Sequence, residues 1–224
     1  MNKKIVIFLI NNFINKTTFN KTISILKKAK VKTLEISIAE KIHLLDGKYI
    51  SKAYAHTTTK DPITEFIKLA KNLLKKNFTL ILQFSYKLFY NKKLMNFISK
   101  NILAIKGIIN IDLDTNAKIP KILKKKLFIV TTNNTKLKIN KYLTATTYTG
   151  GKVKNLNTVI KLARQIRKAN PNIKIQVGFG IRNISHIKTL ISENIDYIVL
   201  GTVILKHIAH NTLKNFITNV KNKT

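Results

Sequence analysis

The stretch FNKTISILKKAKVKTLEISI, residues 19–38, contains two patterns in direct succession. In residues 19–30 the apolar side chains recur every three or four positions among lysines, which is typical of an amphipathic helix. In Lys32–Ile38 apolar and polar residues alternate, and several of them are β-branched, as in a strand. A helix that leads straight into a strand is half of a βαβ unit, the building block of a parallel sheet.

The same succession recurs along the whole chain. Eight strands are predicted at Lys4–Ile10, Lys32–Ile38, Thr79–Phe84, Gly107–Asp112, Leu127–Thr131, Lys141–Ala145, Ile173–Gly178 and Asp196–Gly201. Helices are predicted at residues 19–30, 62–76, 92–101, 156–169, 184–194 and 212–222. Eight alternating units in 224 residues, with no linker between them, predict one (β/α)8 barrel domain over residues 1–224.

The composition narrows the function classes. The formal net charge is +33, but the lysines are spread over nearly every segment, which favours a solvated surface over a nucleic-acid site. The chain has no cysteine, which excludes a disulfide framework, a thiolate nucleophile and a cysteine metal site. The five histidines show no spacing typical of a metal site, and none is expected.

The N-terminal stretch MNKKIVIFLINNFI resembles a secretory signal in its positive start and apolar run. Asn11 and Asn12 interrupt that run, and no small-residue cleavage site follows it. We interpret it as the first strand. No stretch approaches the roughly 20 apolar residues of a membrane span, so a cytoplasmic protein without a membrane partner is expected.

The stretch LEISIAEKIHLLDG, residues 34–47, contains two of the nine acidic residues of the chain. In the predicted strand, Glu35 lies on the face opposite Leu34 and Ile36, which in a barrel is the interior. A desolvated carboxyl has a raised pKa and is suited to proton transfer near neutral pH. Asp46 lies in the loop that follows. An interior ion pair, for example with a lysine, and a plain Asp-Gly turn are the alternative interpretation.

Glycines follow two consecutive strands. Gly178 and Gly180 follow strand seven, before a helix predicted to begin near Asn183, and Gly201 and Thr202 follow strand eight. This is the usual position of a phosphate site in a barrel enzyme. Glycines that serve tight turns alone are the alternative.

The loop TATTYTGGKVKN, residues 144–155, follows strand six and is longer and more polar than the other loops. Its glycine pair would permit hinge motion, which suggests a lid. An exposed loop without such a role would look similar.

Together these motifs resemble the tryptophan synthase alpha subunit family. LEISIAEKIHLLDG is similar, without a gap, to the family's LELGVPFSDPLADG, and VGFGI and GTVILK resemble its GFGI and GSAIVK. TYTGG falls where the family has GVTGA, and GIINIDL resembles GLIVPDLP. The likeness runs from about Lys4 to the C-terminus.

The resemblance implies a barrel enzyme of tryptophan biosynthesis that cleaves indole-3-glycerol phosphate to indole and glyceraldehyde 3-phosphate. It implies a beta-subunit partner in an α2β2 assembly, with pyridoxal phosphate in that partner and no cofactor in this chain. It assigns the proton-transfer role to Glu35 and the anion near the indole N–H to Asp46. The other implied residues are Phe8 in the indole pocket, Gly178, Phe179, Gly180, Gly201 and Thr202 around the phosphate, Thr149 and Gly150 in the lid, and Asp112 at the subunit contact.

The sequence also departs from the family. AEKIH replaces PFSDP between the two carboxylates, Ala145 stands at the position of an arginine, and Phe84 and Lys141 stand at indole-pocket aromatics. The leading helix that closes the barrel bottom in the family is expected to be absent.

Two other functions stay open. One is a degraded barrel that only binds or activates a beta subunit. The other is a different phosphate-binding barrel enzyme, such as a phosphoribosyl isomerase. That enzyme would require an acid at the end of strand one, where this sequence has INNF.

Overall fold

The computed structural model describes residues 4–11, 13–38, 50, 53–54, 59–110, 118–124, 126–131, 142–145, 156–178 and 180–223. Eight parallel strands close into a barrel in chain order, with β8 beside β1. The strands are β1 Ile5–Ile10, β2 Thr33–Ser37, β3 Thr79–Gln83, β4 Ile105–Asn110, β5 Leu127–Thr131, β6 Tyr142–Ala145, β7 Lys174–Val177 and β8 Tyr197–Leu200. The predicted (β/α)8 fold is confirmed.

Seven α-helices and one 3₁₀ helix are described around the strands. The α-helices are α1 Lys16–Lys28, α2 Pro62–Lys75, α3 Lys92–Lys100, α4 Leu156–Ala169, α5 Ile184–Ser192, α6 Thr202–Ala209 and α7 Leu213–Lys223, and the 3₁₀ helix is Tyr86–Tyr90. None of these helices is long and apolar enough to cross a membrane.

Side-chain caps explain where two of the helices begin. α1 begins at Lys16 rather than at Phe19 because the Asn15 side chain accepts a hydrogen bond from the Thr18 N–H at 2.8 Å. In α2 the Asp61 side chain accepts from the Thr64 N–H at 3.0 Å, directly before Pro62.

The first two strands, β1 and β2, are buried on both of their faces. All six residues of β1 and all five residues of β2 are buried, including the polar ones. Helix residues such as Leu26 of α1 and Leu73 of α2 belong to the same apolar core. Double-sided burial is expected of a parallel sheet that is covered by helices outside and filled by its own side chains inside.

The lower end of the barrel, where the strands begin, holds a contact across the interior. The register between β3 and β4 shifts at Leu80/Ile81, and Lys106 is the extra residue of the resulting β-bulge. The strand β4 therefore begins at Ile105, two residues before the predicted start at Gly107. The Lys106 ammonium lies 4.5 Å from the ring centroid of Tyr197 on β8, and burial lowers the pKa of this lysine. Side chains from β4 and β8, which are not adjacent strands, thus fill part of the lower end of the barrel.

An ion cluster joins α4, β7 and β8 at the same end. The Asp196 carboxylate accepts hydrogen bonds from Arg167 at 2.8 Å, Lys174 at 3.0 Å and the Ile175 N–H at 3.0 Å. Burial disfavours the ionised form, but the three donors outweigh it and hold the pKa of Asp196 below its ordinary 3.8. This carboxylate therefore stabilises the start of β7 and β8.

Asp196→Asn is expected to lower the free energy of unfolding at pH 7 by about 1–3 kcal/mol, because Arg167 and Lys174 lose a partly buried charged partner. Since the folded-state pKa is depressed, this stabilisation is present above about pH 4 and is lost as the pH falls through the folded-state value. Urea unfolding of both proteins at pH 7 and pH 2.5 measures the effect, and the difference should shrink in acid. Glu65→Gln, which removes an exposed pair with Lys68, is the control and should change little. Equal losses in the two variants would contradict the assignment.

Candidate active site at the carboxyl ends of the strands

The upper end of the barrel gathers the site residues that the sequence predicts on β1, β2, β7 and β8. Phe8 on β1 is in register with Glu35 on β2. Gly178 follows β7 directly, and Gly201 follows β8. Because all strands run in parallel, their carboxyl ends meet at this one end of the barrel.

Glu35 lies inside the barrel, where the alternation of β2 predicts it. Its side chain is 6% exposed, while Leu34 and Ile36 on the other face are fully buried. The Gln176 Nε2 donates a hydrogen bond to the Glu35 Oε2 at 2.9 Å. β7 and β2 are separated by β8 and β1, so this bond crosses the interior of the barrel. This partner is a neutral amide, which, unlike a charged partner, does not by itself fix the carboxyl in one protonation state.

Phe8 connects the carboxyl with the end of β8. Its side chain is 5% exposed. A Cβ placed on Gly201 would lie 3.7 Å from the Phe8 Cδ1, so the aromatic ring lies directly against this glycine. An apolar wall therefore runs from the strand beside Glu35 to the segment that begins α6.

The two glycines after β7 are favoured at their positions for different structural reasons. A Cβ on Gly178 would approach the Val199 Cβ to 3.2 Å, closer than ordinary van der Waals contact, so a side chain here would require Val199 to shift. Gly180 has φ of 76°, a left-handed conformation that favours glycine. α5 follows, with the Asn183 side chain accepting from the His186 N–H at 3.0 Å.

α6 begins immediately after β8. The Gly201 carbonyl accepts from the N–H groups of Ile204 and Leu205, and no side chain caps the start of the helix. The first N–H groups of a helix have no partner within it, and together with the helix dipole they attract anions. Thr202 is the first residue of this helix, and helix starts of this kind are positions at which proteins bind anions.

Several predicted residues lie outside the described part of the chain. These are Asp46, Asp112, Thr149, Gly150 and Phe179, together with Lys141 among the positions that depart from the resemblance. Phe84 is described and is 2% exposed, and its ring meets that of Phe89 edge-on at a centroid distance of 5.8 Å. Among the described residues, no three His, Cys, Asp or Glu side chains are grouped so as to hold a metal ion.

Gln176 is a site residue that the sequence reasoning missed. In the stretch IKIQVG it is the polar residue between two buried apolar ones, the same pattern that identified Glu35 on β2. The same alternation could have indicated an interior position for Gln176, but which interior residues meet across the barrel depends on the register of strands that are far apart in sequence.

Comparison with known proteins connects this geometry to one family. A family model described as "Tryptophan synthase alpha chain" matches residues 1–224. No curated protein matches the chain significantly. Solved structures do match its fold. The tryptophan synthase A-subunit from Pyrococcus furiosus has a TM-score of 0.78 at 18% identity, covering 99% of this chain and 98% of that one.

Two further structures have similar scores. The chain matched in the a2b2 complex from Pyrococcus furiosus has a TM-score of 0.79 at 19% identity, covering 99% of this chain and 98% of that one. The chain matched in the Mycobacterium tuberculosis tryptophan synthase has a TM-score of 0.78 at 10% identity, covering 98% and 91%. At these identities the structural likeness shows the fold, and the family model shows the family.

Gly178→Ala is expected to lower the free energy of unfolding by about 1–3 kcal/mol, because its Cβ would press on the Val199 Cβ. Gly201→Ala is the matched control. There the Cβ meets Phe8 at 3.7 Å, an ordinary contact, and the cost should be clearly smaller. Thermal unfolding of the two variants and the wild type measures the difference. A smaller loss at Gly178 than at Gly201 would contradict the close approach of β7 to β8.

Proposed function

The chain belongs to the tryptophan synthase alpha chain family, and from this we propose that it cleaves indole-3-glycerol phosphate to indole and glyceraldehyde 3-phosphate, near the end of tryptophan biosynthesis. One observation carries the proposal within the structure. A buried carboxyl, Glu35, lies in the barrel interior with a neutral hydrogen-bond partner, and the phosphate-type glycines follow β7 and β8.

The cleavage is a retro-aldol reaction, and one carboxyl can carry its proton in both directions. Glu35 gives a proton to the indole C3 and takes one from the hydroxyl of the adjacent glycerol carbon. The bond between C3 and that carbon breaks, indole leaves, and the hydroxyl carbon becomes the aldehyde. The carboxyl ends the cycle protonated, as it began. Asp46 is the proposed anion near the indole N–H, which would stabilise the positive charge that develops on the ring.

The remaining residues bind the two ends of the substrate. The buried ring of Phe8 would form one wall for the indole, between Glu35 and the end of β8. The phosphate would lie at the start of α6, with the backbone of Gly180 and Gly201 and the hydroxyl of Thr202 as donors. Gly178 and Phe179 belong to the same proposed cradle, and Thr149 and Gly150 to the proposed lid.

The proposal includes a tryptophan synthase beta chain as partner. The similar structures include a complex whose name gives it as a2b2, which supports the same assembly for this chain. Pyridoxal phosphate would belong to that partner, Asp112 would lie at the contact with it, and the complex would work in the cytoplasm. No nucleic-acid or membrane role is proposed, because the lysines are spread over the whole chain.

Glu35→Gln is expected to reduce the cleavage rate by about 10²- to 10⁴-fold, because the amide has the shape of the carboxyl but cannot exchange a proton. The measurement is release of indole from indole-3-glycerol phosphate by the purified protein with a tryptophan synthase beta chain added. Glu65→Gln, the same substitution at an exposed glutamate of α2, should retain the rate. An inactive wild type that still binds the beta chain would instead favour a barrel kept for its partner.

Thr202→Asp is expected to raise KM for indole-3-glycerol phosphate roughly tenfold or more, because a carboxylate at the start of α6 repels the phosphate. The helix itself should tolerate the change, since aspartate is favourable in a first turn. Thr202→Ser keeps the hydroxyl and should keep KM. Steady-state kinetics compare the three proteins, and an unchanged KM in Thr202→Asp would place the phosphate elsewhere.

A further inference from the structure

The hydrogen bond between Gln176 and Glu35 joins two buried polar side chains of the barrel interior. Gln176 is 1% exposed and Glu35 is 6% exposed. Their donor and acceptor atoms are 2.9 Å apart, although the two residues are 141 positions apart in sequence. Both have apolar neighbours along their own strands. This is a specific contact between distant strands.

The oxygen of the same amide does not take part in this hydrogen bond. The Gln176 Oε1 is buried and has no hydrogen-bond partner among the described residues. A buried acceptor without a donor is costly, and in a native protein such a group calls for an explanation. In the Gln176 amide, Nε2 thus donates a hydrogen bond, while Oε1 accepts none from the described residues.

A primary amide can serve either protonation state of a carboxyl. An ionised carboxylate only accepts hydrogen bonds, so it needs the amide N–H. A protonated carboxyl carries an O–H, which can donate to the amide oxygen after the amide turns over. A lysine at position 176 would favour the ionised form, and an aliphatic residue the protonated one. Glutamine suits a carboxyl that must alternate between the two.

The side chains in register with Glu35 on β1 and β3 cannot do the same. Phe8 and Ile81, its registered neighbours on β1 and β3, are apolar. The charged side chains of Lys106 on β4 and Lys174 on β7 are engaged at the lower end, with Tyr197 and Asp196 respectively.

We propose that Gln176 is the positioning residue of Glu35: its amide holds the carboxyl in one place across the barrel, donating from Nε2 to the carboxylate and accepting at Oε1 from the acid. The inference rests on the proposed function for the claim that Glu35 alternates between these forms during catalysis. Gln176 itself exchanges no proton and touches no reacting atom.

The test is Gln176→Met, which keeps the length of the side chain and removes both donor and acceptor. Without the donor, the buried carboxylate is less stable, so the Glu35 titration should move to higher pH by about one to two units. The limb of the kcat against pH profile that reports Glu35 should move by the same amount. At neutral pH kcat should fall about 10- to 100-fold with KM little changed, because Gln176 acts through Glu35.

The titration can be followed without relying on activity. The chain has only four glutamates, at positions 35, 40, 65 and 193, so ¹³C labelling of the glutamate carboxyls gives four signals, and Glu35→Gln assigns one of them. Gln83→Met, the same change at another buried glutamine of the barrel, should leave the Glu35 titration in place. A purely structural role for Gln176 would lower the unfolding temperature and leave the titration where it is.

The outcomes separate the two proposals. A Glu35 titration that does not move in folded Gln176→Met overturns the positioning role, whatever the activity. A titration that moves while the wild type cleaves no substrate supports the coupling and removes the proposed function. If Gln176→Met does not fold, Gln176→Glu replaces it. Two carboxyls would then share one site, and one of the pair should titrate at clearly higher pH than an ordinary glutamate, whereas two ordinary titrations would overturn the proposal.

Discussion

Closure of the parallel sheet is the constraint on which the other features of this protein depend. Every strand has a neighbour on both sides, so all strand edges are paired and every strand has one face inside the barrel and one outside. A polar residue on an inner face must therefore find its partner inside the barrel. Glu35 does so by reaching Gln176 on a strand that is not its neighbour. Closure thus creates the desolvated carboxyl and also supplies what holds it.

The two ends of the barrel carry different interactions. At the lower end, where strands begin, Asp196 collects three donors and Lys106 lies over Tyr197, contacts that hold elements together. At the upper end the glycines after β7 and β8 keep side chains away, and the start of α6 has no side-chain cap. Stability and proposed chemistry are therefore separated along the barrel axis, as expected of this fold.

The hydrogen-bond partners of the carboxylates also differ between the two ends of the barrel. Only nine residues are acidic against 42 basic ones, so most lysines have no carboxylate available as a partner. The carboxylates at the lower end are paired with two of the three arginines, Arg164 with Glu193 and Arg167 with Asp196. Glu35 accepts instead from a neutral amide. An arginine there would hold the carboxyl ionised and would remove its use as an acid.

The sequence by itself determined the strand and helix pattern and the face on which Glu35 lies, because periodicity is a local property of the chain. It also pointed to the glycines after strands seven and eight, since glycine in these positions reflects local backbone demands. Only the tertiary structure decided that Gln176 meets Glu35, that Phe8 lies against Gly201, and that Lys106 is the extra residue of a bulge. These contacts depend on how the strands are registered around the closed barrel. That register joins residues as distant in sequence as Glu35 and Gln176, which are 141 positions apart, and leaves no local signal.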